Sequence, residues 1–383
     1  MATILGFFFM LLGAICGGSF GLPSKFARKD TPWENLWGPF FLFVTIIIPT
    51  TLGPVIVNDF FAVYGRAVHP QAAEGGPAAA PAAAATTAAA TGPAAPSPPR
   101  WSALIVPLVF GLLWGLGSMT LGMSFAFIGL SLAYALNYGA QIATGSMVPM
   151  LMYDAGKVLT PYGYVIMAGV GVCLLGVVVS GRAGILKERS LKKGPSEAPQ
   201  AGTAIKKPKM LVGVIIGIVS GVLCACYAVA AKSADVFGVN GAAKELGNYP
   251  WQGAWAVMAL IVWGGAVSSC IYCAVLLTKN RTWGHFLKPG AGLALLLAFV
   301  MAVLHDGAIF CFGLGVYHLG DLGVSVGYAV FMSFAIIVGN VHGFLTGEWK
   351  GAGRRSVAWI IAGIAILIVG VCILGVGNAM AKG

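Results

Sequence analysis

Residues 102–153 read SALIVPLVFGLLWGLGSMTLGMSFAFIGLSLAYALNYGAQIATGSMVPMLMY and contain no Asp, Glu, Lys or Arg. A helix needs about 20 predominantly apolar residues to cross the roughly 30 Å hydrocarbon core of a bilayer. A single helix of this length, rising about 1.5 Å per residue, would far overshoot that core. The stretch therefore predicts two membrane spans that are joined by a tight turn at Gly129.

Similar uncharged runs recur along the 383 residues, of which 58% are hydrophobic and 9% are charged. This composition excludes a soluble globular protein and predicts an all-α integral membrane protein. Clusters of charge, Pro and Gly divide the chain into ten transmembrane helices. The predicted spans are 3–22, 36–58, 102–126, 130–153, 161–181, 210–232, 250–278, 291–317, 322–346 and 356–379.

The basic residues indicate how these spans are oriented. Most of the 23 Lys and Arg residues lie in the odd-numbered connections, which follow spans one, three, five, seven and nine. Because loops rich in Lys and Arg remain in the cytoplasm, we expect the odd loops inside and both termini outside. The formal net charge of +11 is explained by this topology, and no nucleic-acid partner is predicted.

Two segments of biased composition divide the chain. Residues 66–100 are rich in Ala and Pro and predict a disordered outer loop, with a mucin-like or recognition role as the alternative. Residues 182–209 predict a basic cytoplasmic linker. We expect a first five-helix unit over 1–181 and a second over 210–383.

The two halves show weak internal similarity. A shift of 207 residues aligns Gly6, Phe20 and Lys25 with Gly213, Tyr227 and Lys232. A shift of 194 residues aligns Ala168, Gly169, Gly176, Val177 and Gly181 with Ala362, Gly363, Gly370, Val371 and Gly375. Because each half has an odd number of spans, the two repeats are expected to be inverted across the membrane. Inverted repeats are typical of secondary transporters, whose substrate site lies near the midplane.

One acidic residue lies deep inside a predicted span. Asp306 lies about midway along span eight, directly after His305, whereas the other acidic residues fall in loops or at span ends. An ionisable pair at this depth is costly and indicates a functional site. We predict that Asp306 carries a coupled proton, assisted by His305. Local hydrogen bonding that only fixes helix packing is the alternative.

Polar side chains in two other spans are candidates for binding the substrate. Asn137 and Gln141 are four residues apart in span four and share a helical face, with Tyr138 beside it, and Tyr328 lies in span nine. Amides and phenols both donate and accept hydrogen bonds, as sugar hydroxyls require. We predict that these four residues contact the substrate. Hydrogen bonding between helices is the alternative for the two amides.

Two further sets of residues lie in or next to predicted spans and could carry a function. Lys25 and Lys232 end spans one and six at repeat-related positions, which fits either snorkelling or a gate or anion contact. Cys270 and Cys273 have CxxC spacing, but no second pair or His cluster completes a metal site, so they are interpreted as packing residues. The chain carries no nucleophile elbow, Walker loop or His-rich diiron pattern, and we predict no enzyme activity, cofactor or metal.

Specific strings carry a resemblance to a known family. They are Pro23-x-Lys25, Trp33-Glu34-x-x-Trp37, Trp114-Gly115-x-Gly117-x-x-x-x-Gly122, GRAGILKERS at 181–190 and EWKGAGRR at 348–355. These strings resemble the bacterial L-rhamnose-proton symporter family, which belongs to the drug/metabolite transporter superfamily. The resemblance implies a ten-span carrier of the bacterial inner membrane that imports a sugar together with a proton.

The function predicted from the sequence is therefore sugar import by proton symport through alternating access. The expected substrate is L-rhamnose or a related monosaccharide, and the expected partners are the sugar, the proton and the lipid bilayer. The alternatives are an exporter or exchanger of another small metabolite, and a non-transporting membrane sensor or scaffold. The sequence leaves the oligomeric state open.

Overall fold

The computed structural model of the protein describes residues 2–70, 99–153, 155–191, 210–320 and 327–381. Within these ranges the chain is helical and forms no β-strand, which confirms the predicted all-α fold. Most of the predicted outer loop and the second part of the predicted linker lie outside the described residues.

Fourteen α-helices are labelled here in chain order over the described residues. They are α1 Ala2–Ser19, α2 Trp33–Leu42, α3 Ile48–Ile56, α4 Phe60–Val68, α5 Ser102–Ile128, α6 Leu130–Tyr153, α7 Pro161–Leu191, α8 Met210–Cys224, α9 Cys226–Val236, α10 Val239–Glu245, α11 Pro250–Lys279, α12 Ala291–Leu319, α13 Tyr328–Leu345 and α14 Arg354–Met380. The short helices α4 and α10 follow the second and the sixth predicted span.

Nine helical segments of the described part are long and apolar enough to cross a membrane. They are Ala2–Phe26, Trp33–Ile56, Ser102–Ile128, Pro161–Leu191, Met210–Val236, Pro250–Lys279, Ala291–Leu319, Tyr328–Leu345 and Arg354–Met380. Such a pattern is that of a multi-pass membrane protein.

The predicted fourth span forms a helix that is not one of these nine. Helix α6 has 24 residues, which is long enough to cross the hydrocarbon core. Its polar residues, among them Asn137 and Gln141, make it less apolar than the other nine segments. A total of ten spans therefore stays a prediction.

Three of the membrane segments are interrupted. Pro49 has no N–H with which to bond the carbonyl of Thr45, and a π-helical turn at Phe43–Ile47 lies directly before it, between α2 and α3. The segment that begins with α8 is broken at Ala225, where α9 follows. Helix α1 ends at Ser19 and the chain then forms a 3-10 turn over Leu22–Phe26.

Helix α7 extends beyond the predicted fifth span, which was placed at 161–181. The helix continues to Leu191, so residues 182–191 of the predicted linker are helical. The guanidinium of Arg182 lies 4.8 Å from the ring centroid of Trp359, and the ammonium of Lys187 lies 4.8 Å from that of Trp349. These cation–π contacts with the second half stabilise the last turns of α7. The basic charge of this stretch, taken alone, predicts a loop.

Helices α7 and α14 pack closely through glycines. The backbone of Gly169 approaches that of Leu374, and the backbone of Gly176 approaches that of Leu367. Later positions in α7 thus meet earlier positions in α14, which makes the two helices antiparallel. In return, Gly363 approaches Ser180 and Gly370 approaches Cys173. The shift of 194 residues relates these contacts. Adding 194 to Gly169 and subtracting 194 from Leu374 gives Gly363 and Ser180, and the same operation on Gly176 and Leu367 gives Gly370 and Cys173.

The remaining contacts follow a similar exchange between halves. Helix α1 packs against α12 and α13, and helix α8 packs against α5 and α6. Helix α2 lies against α12, and α11 lies against α5. Helix α6 also contacts α13. The first helix of each half is thus held by helices of the other half.

Candidate functional site

The pair His305 and Asp306 lies at the middle of α12. Asp306 is 2% exposed, and His305 Nδ1 lies 2.9 Å from Asp306 Oδ1. Neighbouring helical residues point about 100° apart, but here the two side chains converge. Asp306 Oδ2 is also buried and accepts no hydrogen bond within the described residues. The pair therefore presents one buried oxygen that a proton or a polar ligand can satisfy.

Aromatic rings from three separate segments surround His305. Its ring centroid lies 5.4 Å from that of Phe20, 6.0 Å from that of Phe40 and 5.9 Å from that of Trp114. Phe20 and Phe40 meet the imidazole at nearly perpendicular angles. Tyr227 of α9 completes this wall, with its ring 6.2 Å from that of Trp114. The result is an apolar, aromatic enclosure around one ionisable pair, a composition typical of small-molecule sites.

These aromatic residues were not among the residues predicted to form the site. Aromatic residues are frequent in membrane helices, and their spacing along the sequence does not reveal which of them converge. One sequence feature indicates that two of these rings have related positions: the shift of 207 residues between the halves aligns Phe20 with Tyr227. In the structure Phe20 lies against His305, and Tyr227 packs on Trp114 of the same enclosure.

Tyr138 lies close to this enclosure, against α1. Its hydroxyl donates a hydrogen bond to the carbonyl of Gly17 at 2.8 Å. The hydroxyl of the preceding Tyr134 accepts one from the N–H of Gly21 at 3.0 Å, and its ring lies 5.9 Å from Phe20. The tyrosines of α6 thus hold the end of α1, where unpaired backbone groups need partners.

Asn137 is fully buried and bonds another helix. Its Nδ2 donates to Ser220 Oγ of α8 at 2.8 Å, while its Oδ1 has no hydrogen-bond partner among the described residues. The amide group thus contributes to the packing of α6 on α8, and its oxygen remains available. Gln141 lies one turn further along α6 and is partly buried.

Tyr328 begins α13 and lies away from His305. Its ring is 6.0 Å from that of Phe312, and Phe312 follows His305 by two helical turns, a rise of about 10 Å. The structure therefore groups His305 and Asp306 closely, places Tyr138 beside α1, and leaves Tyr328 nearer one end of α12.

A small surface cavity lies elsewhere, at the face that carries the basic loops. It is lined by residues that include Arg28, Asp30, His285 and Gly290. None of the predicted site residues lines it, so the candidate site rests on side-chain geometry. No group of three His, Cys, Asp or Glu residues suited to a metal ion occurs in the described part of the chain.

Known proteins resemble this chain over most of its length. The family model described as L-rhamnose-proton symport protein matches residues 100–381. The L-rhamnose-proton symporters of Salmonella typhi, Salmonella paratyphi A and Salmonella typhimurium are each 25% identical to the chain over 387 residues, covering 99% of both proteins. No solved structure gives a significant match. Because the family model covers most of the chain, this protein belongs to the L-rhamnose-proton symport family.

Proposed function

We propose that this protein imports a sugar together with a proton, and that the sugar is L-rhamnose or a related monosaccharide. Membership of a symporter family makes it a transporter rather than an enzyme. The observation that carries the proposal is the buried pair of His305 and Asp306 inside an aromatic enclosure. The comparisons do not favour an exporter, an exchanger or a membrane sensor.

Asp306 is the proposed proton carrier. Its Oδ2 is buried and unpartnered, so a proton there removes a charge that the apolar surroundings do not stabilise. His305 holds Oδ1 at 2.9 Å and fixes the direction in which Oδ2 points. When the site opens to the side with more protons, Asp306 binds one, and it releases the proton when the site opens to the other side.

The sugar is proposed to bind against the aromatic wall. Rings such as Phe20 and Trp114 offer apolar faces to the C–H surface of a pyranose, while His305 and Asp306 exchange hydrogen bonds with its hydroxyls. Tyr138 is the predicted substrate residue best placed to join them, through its position at Gly17. Asn137, Gln141 and Tyr328 remain proposed contacts further from the pair.

Alternating access is proposed to arise from two inverted repeats of five helices each, over 1–181 and 210–383. The antiparallel contact of α7 with α14, and its reciprocity under a shift of 194 residues, supports this arrangement. So does the way that α1 and α8 each pack into the opposite half. Inverted repeats allow one half to rock against the other around a fixed midplane site. Membership of the drug/metabolite transporter superfamily is part of the same proposal.

The protein is a multi-pass protein of the bacterial inner membrane, as its relatives and its apolar helices indicate. We propose that the odd-numbered loops face the cytoplasm and that both termini lie outside, because most Lys and Arg residues are in the odd loops. The lipid bilayer, the sugar and the proton are the proposed partners.

Uptake into proteoliposomes tests the proposal. The purified protein is reconstituted, and labelled L-rhamnose, other deoxysugars and common hexoses are offered with and without an imposed proton gradient. We expect accumulation above equilibrium for at least one sugar, only when the gradient is present. Folded protein that accumulates none of these sugars, or accumulates them equally after the gradient is collapsed, would refute the proposal.

A further inference from the structure

Glu348 is an acidic residue that the structure buries near the start of the basic loop between α13 and α14. Its sequence position in a charged loop predicts exposure, but it is only 6% exposed. Its Oε1 accepts a hydrogen bond from the N–H of Leu130 at 2.6 Å, and its Oε2 accepts one from the N–H of Ser131 at 3.0 Å. These are the first residues of α6, whose N–H groups have no partner within their own helix. The carboxylate thus caps α6 from the other half of the chain and complements its dipole.

Lys25 neutralises this carboxylate. Its Nζ lies 2.8 Å from Glu348 Oε1, and its side chain is 27% exposed, so the ammonium reaches water while its partner is enclosed. Lys25 lies in the 3-10 turn that follows α1. One carboxylate therefore ties together the end of α1, the start of α6 and the loop after α13.

The layer beneath this ion pair is tightly packed. Ser131 Oγ donates to Asn340 Oδ1 at 2.5 Å, and the backbone of Gly343 lies directly against Ser131. One layer deeper, the ring of Tyr134 packs on Gly339. The start of α6 and the end of α13 thus close the route from the aromatic enclosure to this face.

We propose that Lys25 and Glu348 form a latch that holds this face of the transporter closed, and that the latch must release before the site opens there. This inference rests on the proposed function, since only a carrier needs its two faces to open in turn. Glu348 is a positioning residue, because it acts by holding α6 against α13 and does not touch the central pair.

The position of the latch explains how it can release. At the bilayer centre, two separated charges would face hydrocarbon without a polar partner. This pair instead lies in a basic loop region at the membrane edge. There, water can solvate both the ammonium and the carboxylate once they separate, so separating them costs less than it would at the bilayer centre.

Lys25→Ala is the informative substitution. It removes the ion pair but leaves the hydrogen bonds from Leu130 and Ser131 to Glu348 in place. Lys29→Ala is the matched control, because Lys29 is an exposed lysine of the same loop. Lys25→Arg keeps the charge and should restore the behaviour of the parent protein.

The first readout does not depend on sugar. A Ser131→Cys variant, compared with its parent that retains only the native cysteines, is treated with a membrane-impermeant maleimide in vesicles that expose the basic-loop face. We expect Lys25→Ala to raise the rate of alkylation at this position about twofold to fivefold, because it shifts the protein toward the state open at this face. Lys29→Ala and Lys25→Arg should leave the rate unchanged. Equal rates in Lys25→Ala and the parent would overturn the latch.

The second readout uses transport from each face. A latch variant should lower the KM for efflux from the basic-loop face and raise the KM for uptake from the opposite face, whereas simple damage to the fold lowers activity in both directions. Parallel loss in both directions would contradict the proposal. If alkylation responds as expected but no variant, including the parent, moves any sugar, then the latch stands and the proposed sugar transport fails.

Discussion

Replacing Asp306 by Asn should uncouple sugar movement from the proton gradient without unfolding the protein. Asn has the shape of Asp but stays neutral, so it imitates the protonated carboxyl. Its side-chain oxygen can retain the 2.9 Å contact with His305. The position of Oδ2, which has no hydrogen-bond partner in the described structure, becomes an amide nitrogen.

The expected magnitudes follow from this geometry. For one proton per sugar, a gradient of one pH unit is worth about 1.4 kcal/mol and supports at most about tenfold accumulation. With Asp306→Asn, the ratio of internal to external sugar should fall to about one. Because a buried neutral amide costs less than a buried unpaired carboxylate, the free energy of unfolding should stay the same or rise by about 1 kcal/mol at most.

Two assays on the same proteoliposomes separate coupling from binding. Gradient-driven accumulation should disappear in the variant, while exchange of internal for external labelled sugar should persist, since the neutral side chain permits the loaded carrier to reorient. Asp30→Asn is the control, because Asp30 is an exposed acid in the first loop. Accumulation in Asp306→Asn that equals the parent value would refute Asp306 as the proton carrier.

Other substitutions test the site and the fold. Trp114→Ala removes one wall of the enclosure and should raise the KM for sugar about twofold to tenfold, measured by initial uptake rates; an equal change in the exposed Trp283→Ala would argue against a binding role. Gly176→Leu places a side chain against the backbone of Leu367 and should lower the free energy of unfolding by about 1–3 kcal/mol, read as a lower Tm in detergent. Gly171→Leu, on the same helix but facing open space, should leave Tm unchanged, and equal losses in both variants would refute the close contact.

Much of the fold could be predicted because the bilayer imposes a simple rule. A membrane segment must be apolar and about 20 residues long, so its place in the sequence is visible from hydropathy and charge. The predicted turn at Gly129 is confirmed, since α5 ends at Ile128 and Gly129 has a positive φ of 85°. Helix α7 continues past the predicted span to Leu191, and Arg182 contacts Trp359 of the other half.

The candidate site could be predicted only in part. Asp306 is the acid that lies deepest in a predicted span, and the cost of burying charge makes such a residue conspicuous in any membrane sequence. The role of Asn137 was harder to predict, since a buried amide can serve a ligand or a neighbouring helix. The structure shows its Nδ2 bonded to Ser220, which lies far away in the sequence.

The sequence by itself determined that this chain crosses the membrane many times, and it indicated the ionisable pair that deserves a functional test. Those properties depend on local composition, which hydrocarbon and water select directly. The tertiary structure decided which distant residues meet: the rings of Phe20, Phe40 and Trp114 around His305, and the carboxylate of Glu348 on the first turn of α6. Such contacts depend on how apolar helices pack side by side. Inside a bilayer this packing is decided by shape and close backbone approach, because lipid tails are about as apolar as the side chains that they contact.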